Sequence, residues 1–302
     1  MVNTEDSWIS SRTGIRERRI AGADETASTM GVLASRDALT VSALQPDSLD
    51  LVIGATCTPD HIFPAFAALV QDSLGAKKAA AFDINAACSG FIYAVATACQ
   101  FIDAGSYRNA LVVGSEVYSR IVDWKDRSTC ILFGDGAGAV VIQASDSPSG
   151  PLSFILGNDG SGAGTIYTPG PCGVNDGRYF INMKGPETYR FAVNIMCQAT
   201  QEVVAAAGLR LSDIDLIIPH QANTRIIKSA ARLLDIPLDR FFINVDRYGN
   251  TSAASIPIAL CEAVEEGRVK SGDRLVLVAF GGGLSWAAML LEWGPGERMT
   301  QT

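Results

Sequence analysis

Apolar and polar positions along this chain fall into blocks, and the blocks come in two similar sets. "LDLVIGATC" (49–57) and "IDLIIPHQA" (214–222) each place an Asp before a short β-rich apolar run, the pattern of a strand buried on both faces. "FGDGAGAVVI" (133–142) and "FGGGLSWAAMLL" (280–291) each pass from a Gly-rich turn into an apolar strand, 147 residues apart. Between these marks each half repeats one order: an apolar strand, a loop with a polar residue, an Ala-rich helix, a Gly, and another strand such as "ALVVGSE" or "RLVLVAF". Strands that alternate with helices imply mostly parallel sheets. The pattern therefore predicts two duplicated α/β halves, residues 1–145 and 146–302, joined by a Gly/Pro-rich stretch (145–178) long enough to cover a site.

The run 84–102 has no ionised residue and is long enough to span a bilayer, but Asn85, Ser89, Gly90, Thr97 and Gln100 interrupt it. It predicts a helix over 89–103 inside the protein. Matching long helices are expected at about 26–44 and about 187–207. "NTRIIKSAARLLD" reads as a further helix with Arg225, Lys228 and Arg232 on one face. "RYFINM" (178–183) reads as a strand ahead of the second long helix, with no counterpart ahead of the first.

With 302 residues, 48% hydrophobic and 19% charged, the chain can bury a large core, as a compact soluble protein does. A net charge of −8 argues against nucleic acid as a partner and makes any basic patch stand out. No charged segment followed by an apolar one opens the sequence, so a membrane is not expected and the cytoplasm is the expected compartment. The seven cysteines (57, 88, 99, 130, 172, 197, 261) are odd in number and lack a C-x-x-C pair, against both a disulfide framework and a zinc site.

"DINAACSGF" (83–91) puts Cys88 where a strand turns into a helix. A free cysteine is by default a small buried hydrophobe. Small neighbours and a helix start favour an accessible thiolate instead, and both readings stay open on these features. Of the two histidines, His61 sits in "TPDHIFPAF", a surface loop by its prolines and polar residues. His220 ends "LIIPH", so an apolar strand delivers its imidazole to the carboxyl end of a sheet, where open α/β sheets bind ligands. Asn250, in "DRYGNTSAASIP" (246–257), either caps the following helix or takes the slot in the second half that Cys88 takes in the first. An amide beside an imidazole makes two neutral donors suited to an oxyanion or enolate. "GDGAGA" (134–139) looks like a dinucleotide loop, but a strand follows it rather than a helix, so it reads as tight turns.

"AACSGF", "PHQANTRI", "GNTSAASIP", "AFGGGLSW", "SRTGIRERRI" and "FGDGAGA" resemble, in order along essentially the whole chain, the thiolase-fold condensing enzymes, and among them the β-ketoacyl-acyl-carrier-protein synthase III family. That resemblance implies a thiolase-like αβαβα layering with mixed, mostly parallel five-stranded sheets, a homodimer, and initiation of fatty-acid synthesis. It implies that Cys88 takes an acyl group from acyl-CoA, while His220 and Asn250 hydrogen-bond the thioester of malonyl carried on the phosphopantetheine of acyl carrier protein. Backbone N–H groups of Cys88 and Gly282 would hold the oxyanion, with no metal and no resident cofactor. The resemblance further assigns Trp8, Arg12, Arg127 and Asn223 to CoA, and Phe63 to an acyl pocket at the dimer interface. Arg190, Arg225, Lys228 and Arg232 would dock the acidic carrier protein. The bulk of Phe63 favours short primers such as acetyl or propionyl. Rival readings are a polyketide or quinolone starter synthase, an acyltransferase of the same fold, or a non-catalytic acyl-binding homologue that should have lost part of the Cys-His-Asn set. In this fold the unmatched first strand is expected in the middle of its sheet. The sequence therefore predicts an N-terminal extension with a strand of about 5 residues, and Met1 as an internal methionine.

Overall fold

The computed structural model describes residues 2–146, 149–173 and 177–294. The first half runs α1 (Asp6–Thr13), α2 (Ala27–Val41), β1 (Leu51–Ala55), α3 (Phe66–Leu74), β2 (Ala80–Ile84), α4 (Gly90–Asp103), β3 (Asn109–Val117), α5 (Arg127–Cys130) and β4 (Asp135–Gln143). The second runs β5 (Gly150–Asn158), β6 (Ile166–Tyr167), β7 (Asn182–Met183), α6 (Gly185–Ala206), β8 (Leu216–Pro219), α7 (Thr224–Leu234), α8 (Val245–Tyr248), α9 (Ser255–Glu265), β9 (Arg274–Gly281) and β10 (Ser285–Glu292).

Period-two alternation inside the continuous apolar runs builds the layers. Leu51, Ile53 and Ala55 face the middle of the molecule with Leu216 and Ile218, whereas Val52 and Ile217 face outward. The outward side of the first sheet is covered by α2 and α3, through Val32, Leu39, Phe66 and Val70. The outward side of the second is covered by α6 and α7, through Met196, Val203, Ile227 and Leu234. Between the sheets lie α4 and α9, so the uncharged run is the shared core helix. Helix starts are capped locally: Thr26 and Thr29 form a reciprocal capping box on α2, and Asp83 accepts the Phe66 and Ala67 N–H groups of α3 at 2.7 and 2.8 Å. Among the described residues no helix is long and apolar enough to cross a membrane.

The first sheet has the order β2-β1-β3-β4, parallel except between β3 and β4. The second has the order β5-β10-β9-β8, parallel only between β8 and β9. Among the described residues each sheet is thus four-stranded rather than five-stranded, and the second is mostly antiparallel. Beside β8 a single parallel bridge, Ile217 to Phe241, directly follows the 3-10 turn Leu238–Arg240.

Two further expectations need correction. The stretch expected to be only a linking cover contains β5, an edge strand that tolerates Pro151 at its start because an edge has fewer ladder bonds to lose. "RYFINM" is not a strand of the main sheet. Only Asn182 and Met183 pair, in a two-residue ladder with Ile166 and Tyr167, and Ile181 is buried beside Tyr118, Val122 and Phe133 instead. β5 lies at the edge beside β10, and β10 is the repeat counterpart of β4. The slot thought to be central in the first sheet is therefore the outer flank of β4. Met1 lies outside the described residues.

Candidate active site

The chain leaves β2 through a tight turn in which Ala87 takes a left-handed conformation, φ 48°. A single 3-10 turn, Ala87–Ser89, then feeds α4 at Gly90. Cys88 rides on that turn, just ahead of the helix. The second half repeats the device: Ser252 is left-handed at φ 49°, and the 3-10 turn Ser252–Ala254 feeds α9. Each turn is held by an asparagine, with Asn85 Oδ1 accepting the Ala87 N–H at 3.3 Å and Asn250 Oδ1 accepting the Ser252 N–H at 2.9 Å. Leu51 to Leu216 and Asn85 to Asn250 are both separated by 165 residues. The repeat counterpart of Asn250 is thus Asn85, and Cys88 corresponds to Ala253, which corrects the slot assigned to Asn250 from sequence.

A cavity of about 860 Å³ opens where the two halves meet, and Cys88, His220, Asn250, Asn223, Arg12 and Gly282 all line it. Cys88 keeps partial exposure to the cavity, yet burial of its sulfur pushes the thiol up to about 12, against a lowering from the Ser252 hydroxyl that donates to it at 3.3 Å. At rest it is a thiol. The helix-start stabilisation expected to make a thiolate is outweighed by desolvation. Gly281 packs on the backbone here, for a Cβ at that position would lie 2.7 Å from the Cys88 nitrogen.

His220 follows β8, is 1% exposed, and stands edge-to-face on Phe280 at 5.3 Å. Burial holds its pKa down at about 3, so the ring is neutral at physiological pH. Its Nδ1 pairs with the Ser255 hydroxyl at 2.6 Å. Asn250 spends its oxygen on the Ser252 N–H, which orients the side-chain NH₂ as the free end of the amide. Two neutral polar side chains therefore share the cavity with a thiol.

The remaining candidates separate into groups. The Arg12 and Arg127 guanidiniums sit 5.0 and 4.6 Å from the Trp8 ring centre, but of these three residues only Arg12 lines the cavity. Asn223 lines the cavity and also caps α7, accepting the Arg225 N–H at 2.8 Å. Phe63 is 84% exposed and lines no part of this chain's own cavity. Arg190 and Arg225 line a second hollow of about 460 Å³ with Pro186 and Tyr189, and Tyr189 also lines the main cavity. Lys228 and Arg232 are exposed further along α7, on the face expected from their spacing.

Sequence reading missed Ser252, Ser255, Tyr118 and Glu116. The signal for the last was a lone acid inside an otherwise apolar strand. Its Oε2 accepts from the Cys57 N–H at 3.0 Å and from the Thr56 and Thr58 hydroxyls at 3.3 and 2.6 Å. Its Oε1 has no hydrogen-bond partner, although the Ser252 side chain and the Ala253 backbone face the carboxyl. By strand register Glu116 is the counterpart of Gly281, so its side chain fills, in the second half, the space left open beside Cys88 in the first. Burial raises its pKa from 4.5 to about 7. A raised acid favours the fold below its unfolded pKa, and that contribution is lost as pH rises through about 7. We expect the stability of the wild type relative to Glu116→Gln to fall by about 3 kcal/mol between pH ~4 and ~8. Denaturant unfolding of both proteins across that range checks it, and a constant difference refutes it.

A fold of two duplicated α/β units in five layers, with a cysteine on one helix-entry turn in the same cavity as a strand-end histidine and an asparagine, is that of a thiolase-fold condensing enzyme. Residues 82–160 match the family described as 3-oxoacyl-[acyl-carrier-protein (ACP)] synthase III, and residues 204–293 match its C-terminal part. The β-ketoacyl-[acyl-carrier-protein] synthase III of Roseiflexus castenholzii is 50% identical over 304 residues, covering 98% of this chain and 92% of that protein. The crystal structure of 3-oxoacyl-[acyl-carrier-protein] synthase III from Aquifex aeolicus VF5 superposes with a TM-score of 0.93 at 49% identity, covering 97% of this chain and 92% of that one. The priming β-ketosynthase from the R1128 polyketide pathway superposes at 0.91 with 37% identity, covering 98% and 90%. The chain belongs to the β-ketoacyl-acyl-carrier-protein synthase III family, condensing enzymes of the acyltransferase type.

Proposed function

We propose that this protein joins a short acyl-CoA primer to malonyl-acyl-carrier-protein, releasing CO₂ and giving 3-oxoacyl-acyl-carrier-protein, the opening condensation of fatty-acid synthesis. The observation that carries the reading is one cavity in which the Cys88 thiol meets His220 and Asn250, two neutral groups whose inner polar atoms are already engaged. Identity of 50% to a fatty-acid-type synthase against 37% to a polyketide-type one favours this reading over the starter-synthase alternative.

Cys88 attacks the acyl-CoA carbonyl, and its proton leaves on the CoA sulfur, so transfer of the acyl group is proton-neutral and needs no strong base. Malonyl thioester then enters. As its carboxylate leaves as CO₂, the released electron pair moves onto the thioester carbonyl, where donors from His220 and Asn250 stabilise the enolate. The carbanion attacks the Cys88 thioester, with backbone N–H groups of Cys88 and Gly282 assigned to the oxyanion. Collapse of that intermediate expels Cys88 as a thiolate, which takes its proton from water. Incubating the protein with acetyl-CoA and malonyl carrier, and following CO₂ and 3-oxoacyl carrier by mass spectrometry, tests the reading. Absence of product with acetyl-CoA and with every longer primer overturns it. Trp8, Arg12, Arg127 and Asn223 are proposed for CoA because Arg12 and Asn223 line the cavity and the Arg12 and Arg127 guanidiniums both lie against the Trp8 indole.

For the carrier we propose the exposed face of α7 with Arg190, a basic surface on a chain of net charge −8, beside a hollow that shares Tyr189 with the cavity. Arg225→Glu is expected to raise KM for malonyl carrier by about tenfold and flatten its salt dependence, while acylation by acetyl-CoA changes little. Equal effects on both substrates would refute the surface. We also propose a homodimer through the free edge of β2, with Ile62 and Phe63, 72% and 84% exposed, as apolar contacts to the second copy. Large exposed apolar groups and an unpaired edge favour pairing with a second copy, with Phe63 reaching the partner's acyl pocket. Sedimentation should give a dimer for the wild type and more monomer for Phe63→Asp.

A further inference from the structure

The hydrogen bonds around His220 decide which ring nitrogen carries its proton. Ser255, the first residue of α9, is buried, and its hydroxyl has two neighbours among the described residues: the Gln221 N–H at 3.4 Å and His220 Nδ1 at 2.6 Å. A backbone N–H can only donate, so Gln221 occupies a lone pair of the hydroxyl. The one hydroxyl proton then has a single acceptor within reach, Nδ1. A ring that accepts at Nδ1 carries its own proton on Nε2, and the Nε2 edge is the one left for the cavity. The opposite tautomer would make the Ser255 oxygen accept twice and leave its proton buried without a partner, which is costly.

We propose that Ser255 is a positioning residue that holds His220 in the Nε2–H tautomer, so that the imidazole meets the substrate as a hydrogen-bond donor and not as an acceptor. The arrangement is reinforced from behind. Gln221 is itself fixed, its side-chain NH₂ donating to the Pro219 and Phe242 carbonyls at 2.8 and 3.0 Å and its oxygen accepting the Asn244 N–H at 3.0 Å. The N–H that orients the Ser255 hydroxyl therefore belongs to a rigid corner. With Nε2 protonated and Nδ1 occupied, His220 has no free lone pair for the Cys88 proton. Acylation should then be nearly independent of Ser255, whereas decarboxylation should depend on it. This inference rests on the reading of His220 as a donor to the malonyl thioester.

The chain has two histidines, so the state of the ring can be read directly from ¹⁵N-histidine-labelled protein, with a His61→Gln variant assigning the other signal. Nitrogen shifts and couplings should show the proton on Nε2 and a bare Nδ1 from pH ~5 to ~8. A proton on Nδ1, or on both nitrogens across that range, overturns the proposal without any assay of turnover. Ser255→Ala should mix the tautomers and lower kcat for malonyl decarboxylation by about 10², with KM and acyl-CoA acylation changed less than about threefold. Ser255→Thr, which restores a hydroxyl, should recover most of the loss. Full decarboxylation in the alanine variant, or equal loss of acylation, overturns the positioning role. If the alanine variant does not fold, the wild-type tautomer still decides. Absence of condensation in wild type with the Nε2–H form intact would instead fail the functional reading alone.

Discussion

A Cys88→Ala protein is expected to acquire no acyl group from acetyl-CoA and to lose condensation by roughly 10⁴ or more. The thiol shares the cavity with both donors, and its backbone N–H is kept clear by the absence of a side chain at Gly281. The informative competitor is Cys57, which lines the same cavity. Burial and the neighbouring Glu116 carboxylate push the Cys57 thiol well up, and its sulfur is engaged with Asn85 at 3.5 Å. It should therefore stay unmodified even when Cys88 is gone. Peptide mapping of wild type and variant after incubation with acetyl-CoA checks this. An acyl group on Cys57 in either protein, or unimpaired condensation in the variant, would remove Cys88 from its role. The fold should survive, because the substitution removes a sulfur from a cavity wall and not from the packed layer between the sheets.

Much of this arrangement was legible as pattern. The continuous runs at 51–55 and 216–219 announce strands buried on both faces, and the uncharged run at 84–102 announces a central helix, because each signal repeats over many residues. Cys88 and His220 stood out because each follows a strand of the repeat, whereas Asn250, expected to do the same, follows the short helix α8 instead. What failed was finer. β5 was hidden by Gly150 and Pro151 at its start, and "RYFINM" imitated a strand because period-two apolarity also suits a segment tucked into a satellite cluster. Equating Asn250 with Cys88 failed because the two halves were aligned by motif and not by offset: the 165 residues between Leu51 and Leu216 pair Asn250 with Asn85 and Cys88 with Ala253. The protonation states of Cys88 and Glu116 were illegible for a related reason: desolvation depends on what surrounds a group in space, and the helix-start argument sees only its neighbours in sequence.

His220→Ala should separate the two half-reactions, lowering malonyl decarboxylation by about 10² to 10³ while leaving transfer of the acyl group to Cys88 within about tenfold. A ring whose pKa is held at about 3 is neutral throughout the physiological range, so it neither pairs ionically with a thiolate nor titrates near neutrality. Thioester exchange needs neither, because the thiol proton departs on CoA. Decarboxylation does need it, since negative charge develops on the thioester oxygen with only His220 and Asn250 assigned to meet it. Loss of the ring also removes the edge-to-face contact with Phe280 at a site that is 1% exposed, so some loss of stability is expected. His220→Gln, which keeps an NH₂ donor at the end of a side chain of similar reach, should recover part of the decarboxylation rate. In a Glu116→Gln background, which removes the carboxyl held at about 7 beside the site, the pH profile of decarboxylation should show no inflection near the ordinary histidine value of about 6.5. Rapid mixing with acetyl-CoA alone and with malonyl carrier alone measures each step. Equal loss of both in His220→Ala would mean that the imidazole serves the thiol after all, and an inflection near neutrality that persists in Glu116→Gln would mean that the ring charges during turnover.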